Sequence, residues 1–192
     1  IGGGSTEVIL GQGEKILFLQ SLPIGCVGIN KNIMNIKASI DVSNLKNINF
    51  GDIYYEEIYK EVKYQITPYL DLLKDLLKDL PKDALDKTSF RLMGCSGVVK
   101  QVFSILNFKN ENINKNEFKI NKASYKDLKQ IKDKITQTLK IDDPNTNKLS
   151  FVNIPGLRED RVEVFPAGLG ILCALFETLG FERRRTLRTL PQ

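Results

Sequence analysis

The chain contains no histidine. That removes the commonest general base and the commonest zinc ligand, so any hydrolysis here falls to carboxylates working with Mg²⁺. Cysteine is scarce as well: Cys26, Cys95 and Cys173 stand far apart, in apolar or glycine-rich surroundings. No pair has metal-ligand spacing, and an odd number suits a reducing compartment better than a disulfide framework; Cys26 and Cys173 read as buried, inert thiols. Long apolar runs are missing. The best candidate, 162–179, is interrupted by Glu163, Pro166 and Glu177, short of the about 18 apolar residues a membrane span needs. A secretory signal, an initiating Met and internal repeats are absent too, so the expectation is an internal piece of a longer cytoplasmic protein with no membrane partner.

What remains is a chain of 192 residues, 42% hydrophobic and 27% charged, which reads as one domain with a real core. The net charge of +5 suits an anionic ligand. It does not argue for DNA, because much of the lysine lies in mixed runs with Asp, Glu and Asn, as in 107–122.

The most unusual stretch is Ile1-Gly2-Gly3-Gly4-Ser5-Thr6-Glu7, running into Val8-Ile9-Leu10. Three successive glycines are poor strand or helix material because each loses more backbone entropy on folding than any other residue. They let a backbone approach a ligand closely, with successive N–H groups forming an anion nest. Ser5 and Thr6 add hydroxyl donors, and Glu7 a carboxylate able to hold hydrated Mg²⁺ against phosphate. A flexible linker has the same composition, and on these residues alone both readings stand.

Downstream, 7–10 and 15–22 read as a β-hairpin joined by Gly11-Gln12-Gly13-Glu14. The polar stretch 30–51 reads as loop with a short helix. Residues 52–80 have apolar positions at helical spacing, split at Pro68 with Thr67 capping the second piece. A short strand at 89–93 enters Gly94-Cys95-Ser96-Gly97, and 98–106 continues as a helix, the arrangement that sets a helix N-terminus beside an anion; a tight turn with no ligand is the alternative. Ser124 and Asp127 resemble a capping box opening another helix. Asp142 and Asp143, beside Pro144 and Asn145, read as turn formers rather than metal ligands. Residues 153–161 form a turn into a short helix, and an apolar central helix runs from Pro166 to Leu179 with Gly180 just past its end. Residues 181–192 form either a final strand with basic flanks or a loose tail. The layout is α/β, with helices packed on a mixed sheet.

Four stretches together resemble the Ppx/GppA exopolyphosphatase and guanosine pentaphosphate phosphohydrolase family, in the actin, sugar kinase and Hsp70 superfamily. They are Ile1–Glu7, Leu22-Pro-Ile-Gly-Cys-Val27, Met93-Gly-Cys-Ser-Gly-Val-Val-Lys100, and Gly156-Leu-Arg-Glu-Asp-Arg161 continuing through Pro166-Ala-Gly-Leu-Gly-Ile-Leu172. The resemblance implies a ribonuclease-H-like, actin-like ATPase fold for residues 1–182, forming the second lobe of a two-lobed enzyme, with 183–192 as a divergent basic tail. It implies an Mg²⁺-dependent hydrolase that takes the terminal phosphate from polyphosphate or guanosine pentaphosphate. The family's first phosphate loop and catalytic glutamate belong to a first lobe absent here, so the fragment alone is expected to be inactive. A homodimer is a further implication.

By resemblance, Gly2, Gly3, Gly4, Ser5 and Thr6 form a phosphate loop and Glu7 is its catalytic and metal-handling acid. Gly94, Ser96, Gly97 and Lys100 form a second phosphate-binding turn, and Arg161 a further polyanion contact. The departures are three. The aspartate and strand that precede Ile1 in the family are missing, Val98 replaces a threonine near the ligand, and Arg185-Thr-Leu-Arg-Thr-Leu190 replaces the usual ending. Two other readings remain: a non-catalytic module sensing polyphosphate or guanosine tetraphosphate, and an ATP-handling relative.

Overall fold

The computed structural model describes residues 1–39, 49–78, 91–113, 120–143, 148–181 and 186–189. The first element is a hairpin of β1 (Thr6–Gln12) and β2 (Lys15–Leu22), in register from Thr6 opposite Leu22 to Gln12 opposite Lys15. Its turn needs Gly13, whose φ of 59° lies in the left-handed region. Alternation sends Thr6, Leu10, Phe18 and Leu22 inward and leaves Ile9 and Leu19 on the outer face.

Helix α1 (Cys26–Ser39) follows, where the sequence reading placed loop and a short helix from residue 30. The polar run hid the buried trio Ile29, Ile33 and Met34, one helical face among Asn and Lys. Helix α2 (Phe50–Ile66) ends in a 3₁₀ turn, Thr67–Tyr69, and α3 (Leu70–Lys78) continues beyond it. Pro68 splits the helix as expected, but Thr67 does not cap the second piece: its hydroxyl donates back to the Lys63 carbonyl at 2.6 Å, closing the end of α2. Of the strand expected at 89–93, only its end lies among described residues, as β3 (Leu92–Gly94).

After β3 come α4 (Gly97–Ile113), β4 (Lys122–Ser124) and α5 (Tyr125–Thr138). Ser124 and Asp127 form the reciprocal capping box, the Ser124 N–H and hydroxyl both donating to Asp127 Oδ2. Strands β5 (Lys140–Asp143) and β6 (Lys148–Ser150) pair antiparallel, with Asp142 accepting from the Ser150 hydroxyl rather than facing other carboxylates.

Helix α6 (Phe165–Thr178) is the centre of the molecule, buried nearly all round from Phe165 to Ala174. Its glycines admit neighbours. A Cβ at Gly170 would crowd Ile58 and Tyr55 of α2, and one at Gly168 would overlap Val98 of α4. The helix ends in a Schellman motif, with Gly180 at φ 71°, its N–H on Glu177 O and the Phe181 N–H on Phe176 O.

Strand β7 (Thr186–Thr189) lies between β3, to which it is parallel, and β4, to which it is antiparallel. The division after residue 182 is therefore corrected: residues 186–189 are the middle strand of the three-stranded sheet, with Leu187 only 2% exposed, and are part of the body rather than a tail. Among the described residues, no helix is long and apolar enough to cross a membrane.

Candidate functional site

The glycine turn is seated on the start of α1. The N–H of Cys26 donates to the Gly2 carbonyl, and those of Val27 and Gly28 to the Gly3 carbonyl, at 3.0, 3.0 and 3.2 Å. The Gly2 N–H closes the turn on Ser5 O at 2.7 Å. Gly25 makes the seat possible: a Cβ there would lie under 3.0 Å from the Gly3 carbonyl group and the Gly4 nitrogen. Gly2, Gly3 and Gly4 themselves have no left-handed φ, and a Cβ at Gly4 would meet nothing within 4 Å. The fold's own need for glycine is at position 25, and the bareness of Gly3 and Gly4 has no internal use.

Among the described residues, the N–H groups of Gly3 and Gly4 have no acceptor. Each belongs to a peptide unit whose carbonyl accepts from the first turn of α1. Such acceptance polarises the unit and strengthens its N–H as a donor. The positive end of the α1 dipole is thereby passed to two exposed amides.

Beside them, Ser5 donates to Glu7 Oε1 at 2.6 Å and Ser21 donates to the same oxygen at 3.3 Å, which leaves Oε2 outside both bonds. These bonds, that of Ser5 foremost, hold the exposed Glu7 carboxyl below the ordinary glutamate range. Thr6 is placed differently from its neighbours. Its side chain is buried and its hydroxyl donates to the Ile24 carbonyl at 2.7 Å, so it ties the turn to the segment before α1 and offers no hydroxyl to the exposed face.

The second turn is built on capping. Ser96 accepts the Val99 N–H on its hydroxyl at 3.3 Å and the Lys100 N–H on its carbonyl at 3.1 Å, starting α4 while its own hydroxyl proton remains to donate. Gly94 is fixed by packing, since a Cβ would lie 2.6 Å from Val99 Cγ2. Lys100 is exposed in the first turn of α4. Val98, expected near a ligand, is instead buried against Gly168.

Arg161 meets this turn: a Cβ at Gly97 would lie 3.6 Å from Arg161 Nη1. Its Nε is 3.5 Å from Asp160 Oδ2, whose other oxygen is held by Arg158 Nε at 2.9 Å. A guanidinium beside a helix N-terminus is like charge on like partial charge, an arrangement relieved by an anion between them.

The starts of three helices gather on the first turn of α6. Val98 of α4 packs on Gly168, and Asn30 of α1 donates to the Glu163 carbonyl just before α6. None of α1, α4 and α6 carries an acidic residue in its first turn, whereas α2, α3 and α5 carry Asp52, Asp71 and Asp127. The helices that converge thus carry no carboxylate within their own first turns.

Sequence reasoning placed Gly25 in a matching stretch without giving it a role, and missed Gln101, Ser104 and Asn30. Gln101 accepts the Arg158 N–H at 3.0 Å, and Ser104 donates to the Gly156 carbonyl at 2.7 Å. Their spacing from Gly97 along one face of α4 was a legible signal; the loop that would meet it was not.

Against known proteins, the model of the Ppx/GppA phosphatase family matches residues 1–187. The guanosine-5'-triphosphate,3'-diphosphate pyrophosphatase of Aeromonas hydrophila is 27% identical over 182 residues, covering 95% of this chain and 29% of that protein. That of Pseudoalteromonas translucida is 27% identical over 186 residues, with the same coverage of 95% and 29%. A solved PPX-GPPA enzyme of Aquifex aeolicus superposes with a TM-score of 0.58 at 17% identity, over 98% of this chain and 50% of that one. The type II variant of the Aquifex phosphatase gives 0.53 at 18% identity. These solved structures share the fold. The chain spans 29% of the two pyrophosphatases and about half of the Aquifex protein. By its match over residues 1–187, the chain belongs to the Ppx/GppA phosphatase family.

Proposed function

We propose that this chain is the phosphate-gripping lobe of a two-lobed phosphoanhydride hydrolase, acting on the terminal phosphate of guanosine pentaphosphate or inorganic polyphosphate with Mg²⁺. The observation that carries the reading is the glycine turn: two exposed amides, unbonded among the described residues and polarised through α1, beside the single carboxylate Glu7. Phosphoryl transfer asks for positioning and charge neutralisation more than covalent chemistry, which these groups supply.

In this reading Gly3 and Gly4 donate to non-bridging oxygens of the phosphate, and Ser96, Lys100 and Arg161 hold the neighbouring phosphates of the chain. Glu7 suits hydrated Mg²⁺, which takes one or two carboxylates plus phosphate oxygens and keeps several waters. No group of three or more His, Cys, Asp or Glu side chains placed to hold a metal ion occurs among the described residues. When bound, Mg²⁺ supplies neutralisation of the developing phosphate charge. The two serines fix Oε1 and leave Oε2 outside their bonds, so Glu7 would be the residue to hold the ion. The complementary lobe supplies the catalytic glutamate.

Calorimetry of the 192-residue chain with each substrate and Mg²⁺, beside a phosphate-release assay, tests this. Binding without turnover is expected. Sustained phosphate release by this chain alone would overturn the one-lobe reading, and no binding of either substrate would overturn the function.

A further inference from the structure

The segment 156–164 runs along α4 and is fastened to it at successive points. Gly156, with φ 90°, lies so close that a Cβ would be 2.8 Å from the Ser104 carbonyl and 2.9 Å from Ile105 Cα. Ser104 bonds the Gly156 carbonyl, and one turn earlier Gln101, 7% exposed, takes the Arg158 N–H. One turn earlier again, Arg161 covers Gly97. The contacts fall at 104, 101 and 97 on the helix, one face by the three-or-four spacing, while the segment proceeds the opposite way through 156, 158 and 161.

The far end is fastened to a different helix. Asn30 of α1 donates its amide N–H to the Glu163 carbonyl at 2.8 Å, and its amide oxygen accepts from the Tyr54 hydroxyl. Burial pushes the Tyr54 phenol far above its ordinary pKa, so it remains a donor and fixes which way the Asn30 amide faces. Between the anchors, a 3₁₀ turn made by the Arg161 N–H on Arg158 O and the Val162 N–H on Glu159 O carries Arg161. Asn30 stands on the helix that seats the glycine turn, and Gln101 on the helix that begins at Gly97.

We propose that Gln101 and Asn30 are positioning residues for Arg161, suspending residues 156–164 as a strap whose tension points lie on the two helices that carry the two glycine turns. Neither side chain touches the substrate; each acts through the place it gives the guanidinium. Gln101 is well suited because it is a buried polar group whose oxygen is met by one backbone N–H, and losing either partner leaves a buried group unsatisfied. The proposal rests on the phosphate-binding reading for its purpose, but not for its mechanics.

The test has two arms. In the ligand-free protein, amide hydrogen exchange is compared for wild type, Gln101→Leu and Gln101→Glu. Gln101→Leu removes the acceptor at similar volume and is expected to speed exchange at Arg161 as well as Arg158, with the β1–β2 hairpin unchanged; Gln101→Glu keeps an acceptor and restores slow exchange. An effect confined to Arg158 overturns the strap whatever the ligand proves to be.

In the second arm, long-chain polyphosphate is titrated into wild type, Gln101→Leu, Asn30→Ala, Arg161→Ala and the doubles with Arg161→Ala. Arg161→Ala is expected to weaken binding about tenfold, in keeping with the loss of charged hydrogen bonds. Gln101→Leu and Asn30→Ala each weaken it several-fold, and neither adds to the loss once Arg161 is gone. Multiplicative losses would overturn positioning. An Arg161→Ala protein that binds as wild type would instead remove Arg161 from the proposed site, leaving the exchange arm to decide the strap.

Discussion

Replacing Gly25 and Gly4 by alanine, separately, gives opposite outcomes from the same chemical change. At Gly25 the new methyl would lie under 3.0 Å from three backbone atoms of the glycine turn, where ordinary contact begins at 3.4 Å. Those atoms belong to backbone rather than to the end of a flexible side chain and lie 2.4 Å from the methyl, so the turn or the start of α1 must move by about 1 Å to reach ordinary contact at 3.4 Å. Overpacking of this kind costs about 1–3 kcal/mol. For a chain of this size each kcal/mol lowers the melting midpoint by about 2–4 °C, so Gly25→Ala should melt roughly 2–12 °C early. Displacement also breaks the bonds from Cys26, Val27 and Gly28 that polarise the exposed amides, so polyphosphate binding falls as well. At Gly4 the methyl meets nothing within 4 Å and the backbone is not left-handed. Gly4→Ala should therefore be neutral or stabilise by about 0.4–1 kcal/mol through the unfolded chain, while binding falls about tenfold because the methyl stands on the amide face. Thermal and urea melts followed by circular dichroism, with calorimetry alongside, read both quantities. A Gly25→Ala protein with the wild-type midpoint would refute the close-approach argument, and a Gly4→Ala protein that binds normally would refute the claim that the bare glycines face the ligand.

Glu7 should titrate below the ordinary glutamate range in an NMR pH series, and Ser5→Ala should move it upward, since the Ser5 hydroxyl is the main cause of its lowering. Because the folded pKa is the lower one, this contribution to stability is present above the unfolded pKa and disappears as pH falls through the folded value; an unmoved titration in Ser5→Ala would show that the hydroxyl is not the cause. Leu187→Ala, at the middle of the three-stranded sheet, should cost about 2–5 kcal/mol in urea denaturation, whereas a residue in a loose tail would cost almost nothing. With a thiol reagent at pH 8, Cys95 should react in the native protein, while Cys173, whose thiol burial pushes up to about 12, should react only on unfolding. Rapid native reaction of Cys173 would contradict the packing around α6.

The parts of this molecule written in local chemistry were legible in its sequence. The hairpin, the break at Pro68, the capping box at Ser124 and the ending of α6 at Gly180 each follow from residues adjacent to one another, whose spacing carries the geometry. The glycine turns were legible for the same reason. Helix α1 was not, because its buried face of Ile29, Ile33 and Met34 is diluted by Asn and Lys and acquires meaning only against the helices it packs on. Thr6 and Val98 stood in the right motifs, yet their side chains turn into the body, a choice made by Ile24 and Gly168 far along the chain. Asn30 gave no local sign at all, since its partner lies 133 residues away, and Gln101 shared a legible helix face with Gly97 but not the loop, 57 residues on, that meets it.

The position of β7 has a consequence for how the molecule comes into being. Leu187 stands opposite both Leu92 and Ala123, so the strand that joins β3 to β4 is the last described one to be synthesised. Two short strands without their common neighbour cannot close as a sheet, and the pairing that unites them reaches from Leu187 back to Leu92, about half of the chain, which makes the loop-closure cost large and the step slow. Helix α6, apolar nearly all round, emerges before that step. During the interval its surface is open to the wrong partners, so yield in the cell should depend on chaperone supply and growth temperature more steeply than equilibrium stability alone implies.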